Sequence, residues 1–169
     1  MVYGAFSGAP WPPSLQRGVA FVSSKPETVI GEPGVAALKR SARALSTFLE
    51  QNQETCVLDY PFAVVYPKNC CQSASLMLLY LFEEKYGLPG VELVKGSNRE
   101  TDESHYWVRA GGLVYDLTAH QFSGRTPVFG VPEGSYMREL FPESEIDPER
   151  TWLDRNEVCG LYRGDRIPF

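Results

Sequence analysis

The segment from Cys70 to Tyr86 limits more than any other how this chain can fold. Ala74, Leu76, Met77, Leu78, Leu79, Leu81 and Phe82 surround most of the circumference of a helix, where a surface helix would confine them to one stripe. Gly87 stops the pattern and Pro89 follows, a left-handed cap and then a residue that cannot continue a helix. A helix that is apolar nearly all round has to be enclosed, so this one is expected at the centre of the fold. A chain of 169 residues is long enough for one such core, and residues 1–169 read as a single domain.

The rest of the chain supplies the wrapping. Residues 1–33 are rich in Gly, Pro and Ser, with Pro10-Trp11-Pro12-Pro13 among them. They read as an irregular arm with one short strand near Gly18–Val22. Glu32-Pro33-Gly34 opens a helix in which Val35, Leu38, Ala42, Leu45 and Leu49 recur at helical spacing, ending near Gln51 or Asn52. Thr55–Tyr66 is β-branched and aromatic but interrupted by Pro61, which predicts an extended edge segment. Val91–Lys95 reads as a strand and Gly96–Glu103 as a polar loop. Further on, the expectations are a strand at Val128–Val131, a short helix at Gly134–Leu140 and a last strand at Val158–Arg163. Trp152 and Gly160-Leu161-Tyr162 are expected to pack on the sheet.

Between these lies a clear hairpin: Ser104–Ala110, the turn Gly111-Gly112, then Leu113–Thr118. Gly-Gly suits a two-residue turn because positive φ costs glycine nothing. Ala110 then faces Leu113, Trp107 faces Asp116 and His105 faces Thr118. Alternation puts Tyr106, Val108, Ala110, Leu113, Tyr115 and Leu117 on an apolar face, the expected core side. His105, Trp107, Arg109, Val114, Asp116 and Thr118 share the other, where His105 and Asp116 are diagonal neighbours. A one-residue slip would separate the two, and the clean division of faces argues for this register.

The turn Pro67-Lys68-Asn69 precedes the apolar helix. Asn69 is a good N-cap and would put Cys71 in the first helical turn. Unpaired N–H groups and the positive end of the helix dipole favour a thiolate there and can donate to an oxyanion. An imidazole such as His105 would take the thiol proton, and a carboxylate such as Asp116 would hold the imidazole in the required tautomer. Cys70 is a rival nucleophile, rotated by about 100° from Cys71.

Composition narrows the partners. The formal net charge of -5 disfavours DNA, RNA and anionic lipid, which need a basic surface. The basic run Lys39–Arg43 reads as the wet face of its helix. No stretch is apolar enough to span a membrane, and the N-terminus lacks the plan of a signal peptide. A cytoplasmic location, or delivery into a target cell without a classical signal, is expected. Cys56, Cys70, Cys71 and Cys159 form neither zinc clips nor a disulfide ladder, so reduced thiols, no metal and no cofactor are expected. A metal set of His105, Asp116 and His120 would need a helix where Leu113–Thr118 reads as strand.

The order Cys on a helix, His on a strand, Asp on the next strand resembles the papain-like and transglutaminase-like cysteine superfamily. It is most similar to its small bacterial papain-fold members, toxin-type protein-glutamine deamidases and peptidases. Asn69-Cys70-Cys71-Gln72-Ser73-Ala74-Ser75 looks like the nucleophile segment, with Asn69 where the family usually has glycine, and the alignment selects Cys71. His105-Tyr106-Trp107-Val108 and Val114-Tyr115-Asp116-Leu117-Thr118, followed by Gln121-Phe122, look like its His and Asp segments. The resemblance covers roughly residues 66–122, the expected catalytic core. It implies an α+β fold whose buried Cys-bearing helix packs on an antiparallel sheet carrying His and Asp. It also implies a Cys71–His105–Asp116 triad acting on an amide of a protein or peptide, by deamidation or peptide cleavage. Asn69, Gln121 and Trp107 are candidates for oxyanion or substrate contacts. Transglutamination, acyl transfer and an inactive binding module share the same framework.

Overall fold

The apolar helix forms where its sequence places it, and is enclosed as its composition requires. The computed structural model describes residues 34–55, 58 and 61–169. The expected arm with its strand near 18–22, and Cys56, lie outside the described residues. Among the described residues the fold is α+β, with three α-helices and a five-stranded antiparallel sheet. None of these helices is long and apolar enough to cross a membrane.

The central helix, α2, spans Cys71–Tyr86, and every residue from Ser73 to Phe82 is buried. Gly87 closes it in the left-handed conformation at φ 58°, its N–H donating to Glu83 O. The N-cap is Cys70 and no side chain caps the helix, so the expected cap at Asn69 is corrected. Asn69 itself adopts φ 55°, a left-handed conformation that Asn tolerates better than most residues. Three sides of α2 are covered by other elements. The helix α1, Val35–Thr55, buries Leu38, Ala42, Leu45 and Leu49, while Arg40 and Arg43 stay exposed as expected. It outruns the expected end because buried Asn52 accepts the Leu58 N–H at 2.8 Å, tying the last turn to the following chain.

The segment expected to be an extended edge holds a 3-10 helix, Pro61–Val65. Proline is harmless at a first helical position, where its missing N–H would have no partner. Ala63 and Tyr66 are buried, and the Tyr66 hydroxyl donates to Leu117 O, so tertiary contact overrides β-propensity here.

The sheet is built on the hairpin of β2 (Glu103–Ala110) and β3 (Leu113–Asp116). Gly111 and Gly112 both take positive φ, 57° and 72°, and Ala110 faces Leu113, Arg109 faces Val114 and Val108 faces Tyr115. The predicted register is the observed one as far as Val108 and Tyr115, beyond which Asp116 pairs with Val128 and the expected pairings of Trp107 with Asp116 and His105 with Thr118 are not made. The strand β1 (Glu92–Asn98) extends beyond the expected end at Lys95 by pairing along β2. The strand β4 (Val128–Pro132) lies beside β3, and β5 (Glu143–Ile146) lies beside β1. All four β5 residues are exposed, so no alternation marked it in the sequence.

Two more expectations are overturned. Residues 134–140 form a run of turns rather than a helix. Arg155–Arg163 is a helix, α3, where a strand was expected. Asp154 caps it by accepting from the N–H groups of Asn156 and Glu157, and Val158 and Cys159 are buried where α3 packs on α2. Trp152, expected to pack the sheet, is 68% exposed, and its Nε1–H donates to Ser73 Oγ at 3.1 Å.

The face of β2 and β3 opposite α2 is also covered. Val94, Trp107 and Val114 pack there with Ala119, Met137 and Phe141 in a second, smaller core. His105, Asp116 and Thr118 are buried on this face, where the sequence predicted only a polar one. Gly96, opposite His105 on β1, makes the packing possible. A Cβ there would lie 2.7 Å from two atoms of the Trp107 ring and 2.9 Å from Phe141 Cβ.

Gly96→Ala should therefore destabilise the fold by about 1–3 kcal/mol through overpacking, read from urea unfolding midpoints at unchanged slope. Gly160→Ala in α3, where nothing lies within 4 Å of the added methyl, should stabilise by up to about 1 kcal/mol.

Candidate active site

The two-glycine turn sets the register, and the register delivers His105 from β2 toward Asp116 at the end of β3. His105 Nε2 lies 2.6 Å from Asp116 Oδ2, with both side chains 0% exposed. A carboxylate taken wholly out of water needs donors on both oxygens, and Asp116 has them. Thr118 donates its N–H and its hydroxyl to Oδ1, at 2.9 Å and 3.1 Å. Tyr136 donates its hydroxyl to Oδ2 at 2.8 Å. Aromatic rings enclose the imidazole: Phe141 stacks on it at 5.7 Å, Phe122 meets it edge-on at 4.9 Å, and Trp107 lies 6.0 Å away.

Burial by itself would pull His105 below its ordinary value of 6.5. The charge and hydrogen bond of Asp116 oppose this, with a smaller push from the Cys71 sulfur, and together they raise it to about 9. The imidazole therefore holds its proton at neutral pH. The Tyr136 phenol is pushed far up by burial and by the Asp116 charge, so it remains a donor throughout.

Cys71 is the first residue of α2 and is partly exposed. The N–H groups of residues 71–73 precede the first helix bond, from Ala74 N–H to Cys70 O at 2.9 Å, so they are free to donate outward. One turn on, the Ser75 hydroxyl donates to Tyr106 O at 3.1 Å and fixes this end of α2 against β2. The Cys71 sulfur acts on the His105 ring, adding to the upward push on its proton affinity. Cys70, the alternative nucleophile, is 1% exposed, and burial, then the neighbouring Cys71, pushes its thiol up to about 12. Of the two adjacent thiols, Cys71 is partly exposed and Cys70 lies in the core.

Gln121 ends the 3-10 turn Ala119–Gln121, and its carboxamide Nε2 lies 3.0 Å from His105 Nδ1. Both ring nitrogens are engaged: Nε2 with Asp116, Nδ1 on the side that Gln121 shares. Trp107, expected to contact substrate, is instead buried behind the imidazole at 2% exposure. Asn69 is exposed ahead of the helix start. His120 points elsewhere, with Nε2 3.9 Å from Glu50 Oε1 and its ring 5.5 Å from Tyr66. Among the described residues no cluster of His, Cys, Asp or Glu could hold a metal ion, and Leu113–Asp116 is a strand rather than the helix that a set of His105, Asp116 and His120 would need.

Sequence reasoning missed the contributions of Thr118, Tyr136 and Phe141. Thr118 had a signal, since a hydroxyl two residues after an aspartate forms a local turn onto the carboxylate. Tyr136 lies within, and Phe141 just beyond, the run of turns at 134–140 that the sequence suggested as a short helix.

With only two histidines in the chain, NMR can follow the His105 ring directly. It should keep its proton through neutral pH and titrate near 9. Asp116→Asn should lower that midpoint by roughly 1–3 units. Because the folded value lies above the ordinary 6.5, the pair's stabilisation is complete below about pH 6.5 and lost as pH rises through about 9. Thermal midpoints measured across that window should fall more steeply for wild type than for Asp116→Asn.

Compared with known proteins, the chain matches no protein-family model, no curated protein and no solved structure.

Proposed function

We propose that this chain is a cysteine-dependent amide hydrolase, with a papain-like or transglutaminase-like core in which Cys71 is the nucleophile, His105 the general base and acid, and Asp116 the residue that orients His105. The observation that supports this reading is a fully buried His–carboxylate pair, its imidazole influenced by the partly exposed cysteine at the first position of a buried helix. A helix start gives a thiolate favourable electrostatics, and a buried carboxylate gives an imidazole one orientation.

The chemistry follows from these positions. Cys71 Sγ attacks the amide carbonyl carbon as the thiolate, beside a His105 that already holds a proton on each ring nitrogen. The oxyanion accepts hydrogen bonds from N–H groups of the first turn of α2, which have no partner within the helix. Collapse of the tetrahedral species breaks the C–N bond, and the proton on Nδ1 goes to the departing nitrogen. Water then gives a proton to His105 as it adds to the thioester carbonyl, and collapse breaks the C–S bond, releasing the carboxylic acid product and restoring the thiolate beside a protonated His105. Gln121 touches the same ring nitrogen, so its carboxamide lies where the reacting amide must come. The substrate is a carboxamide of a protein: a glutamine side chain, which releases ammonia, or a peptide bond.

Alkylation tests the nucleophile without a known substrate. Iodoacetamide should label Cys71 selectively at neutral pH, and His105→Ala should slow that labelling by roughly 10–100-fold. Equal, slow labelling of all four cysteines would overturn the reading. To find the reaction, wild type and Cys71→Ser are incubated with a protein lysate and the products analysed by mass spectrometry. Glutamine-to-glutamate mass gains mark a deamidase and new termini a peptidase, each expected with wild type alone.

A further inference from the structure

We propose that Tyr136 is a positioning residue of this site, its phenol holding Asp116 Oδ2 so that the carboxylate's grip on His105 is both oriented and moderated. The proposal rests on the triad reading for its functional meaning but on geometry for its substance. The two donors on Asp116 Oδ1 both come from Thr118, two residues along the chain. They fix the carboxylate relative to its own strand end. Oδ2 is the oxygen that His105 uses, and the other donor there is the Tyr136 hydroxyl, 20 residues away in sequence. Among the described residues, that second contact ties the carboxylate to a part of the fold outside the hairpin.

The tyrosine is itself held. Its ring meets Trp107 at 5.6 Å and 73°. The next residue, Met137, adopts φ 56°, uncommon for a long side chain. It is buried with Phe141 in the small core against which Tyr136 also packs. Such a backbone persists where the surroundings over-determine it, and here it lets two successive side chains join one cluster. The turn that carries Tyr136 also carries Phe141, which stacks on His105. One short segment thus braces both members of the buried pair.

The consequence for the proton has a definite sign. Two donors on one oxygen share its electron density, so the phenol makes Oδ2 a weaker partner for the imidazolium than it would be alone. Removing the phenol strengthens the carboxylate's hold on the His105 proton. Strengthening the phenol as a donor does the opposite. A tyrosine that merely filled space would move the histidine in neither case.

The test follows the His105 ring by NMR titration in wild type, in Tyr136→Phe and in a protein with 3,5-difluorotyrosine at position 136. The phenylalanine keeps the ring and its packing on Trp107. The fluorinated phenol is a stronger donor and keeps every Asp116 partner, so it also serves if Tyr136→Phe fails to fold. The His105 midpoint should move up by about half a unit or more in Tyr136→Phe and down in the fluorinated protein. No movement in either, or movement of the wrong sign, overturns the proposal. The triad reading fails separately: it falls if His105→Ala leaves Cys71 alkylation unchanged, whatever Tyr136 does to the histidine.

Discussion

The structure depends on enclosing one helix without closing off its first residue. α2 carries buried residues continuously from Ser73 to Phe82, and truncating any large one would cost about 2–5 kcal/mol. Water must be kept from its whole length, which is why the sheet, α1 and α3 all pack against it. The start of a helix cannot be sealed in the same way, because its leading N–H groups need partners. Here Cys70 turns inward while Cys71 stays partly exposed. The rotation between adjacent residues at the helix start divides them into one core thiol and one reachable thiol.

A second physical demand comes from the buried His105–Asp116 pair. Two ionisable groups without solvent are stabilising only where their remaining hydrogen-bonding capacity is met. The fold meets it with Thr118 from the strand exit and Tyr136 from the following turns, both donating to Asp116. The small core around Trp107, Met137 and Phe141 keeps water from the pair. Burial and charge act on His105 in opposite directions, and the charge prevails. A solvent-facing pair of the same residues would be screened and worth little. The second core is therefore what turns a histidine and an aspartate on a hairpin into a strongly coupled pair.

The sequence could be read furthest where physics is local. Circumferential hydrophobicity defined α2, and its glycine stop was correct to the residue. The Gly111-Gly112 turn, with its alternating faces, was sufficient to derive the register and hence the His105–Asp116 contact. Errors arose where distant contacts overrode local preference. Pro61–Val65 looked extended but is a 3-10 turn held by burial of Ala63 and Tyr66. Residues 158–163 looked like a strand, yet an aspartate cap and a face buried on α2 make them a helix. β5 has no apolar alternation because both its faces are exposed, so it exists only by pairing with β1.

By itself, then, the sequence determined the buried helix, the hairpin, its register, and which histidine and aspartate meet. Each follows from periodicity or turn geometry within a few residues. Only the tertiary structure decided that Cys70 is buried while Cys71 stays partly exposed, since that depends on how α2 is rotated in the core. It alone decided that the face expected to be merely polar is buried, since its cover comes from turns 20 or so residues away. It also placed Tyr136 on Asp116 and Gln121 on His105, contacts between segments whose local patterns carry no trace of one another.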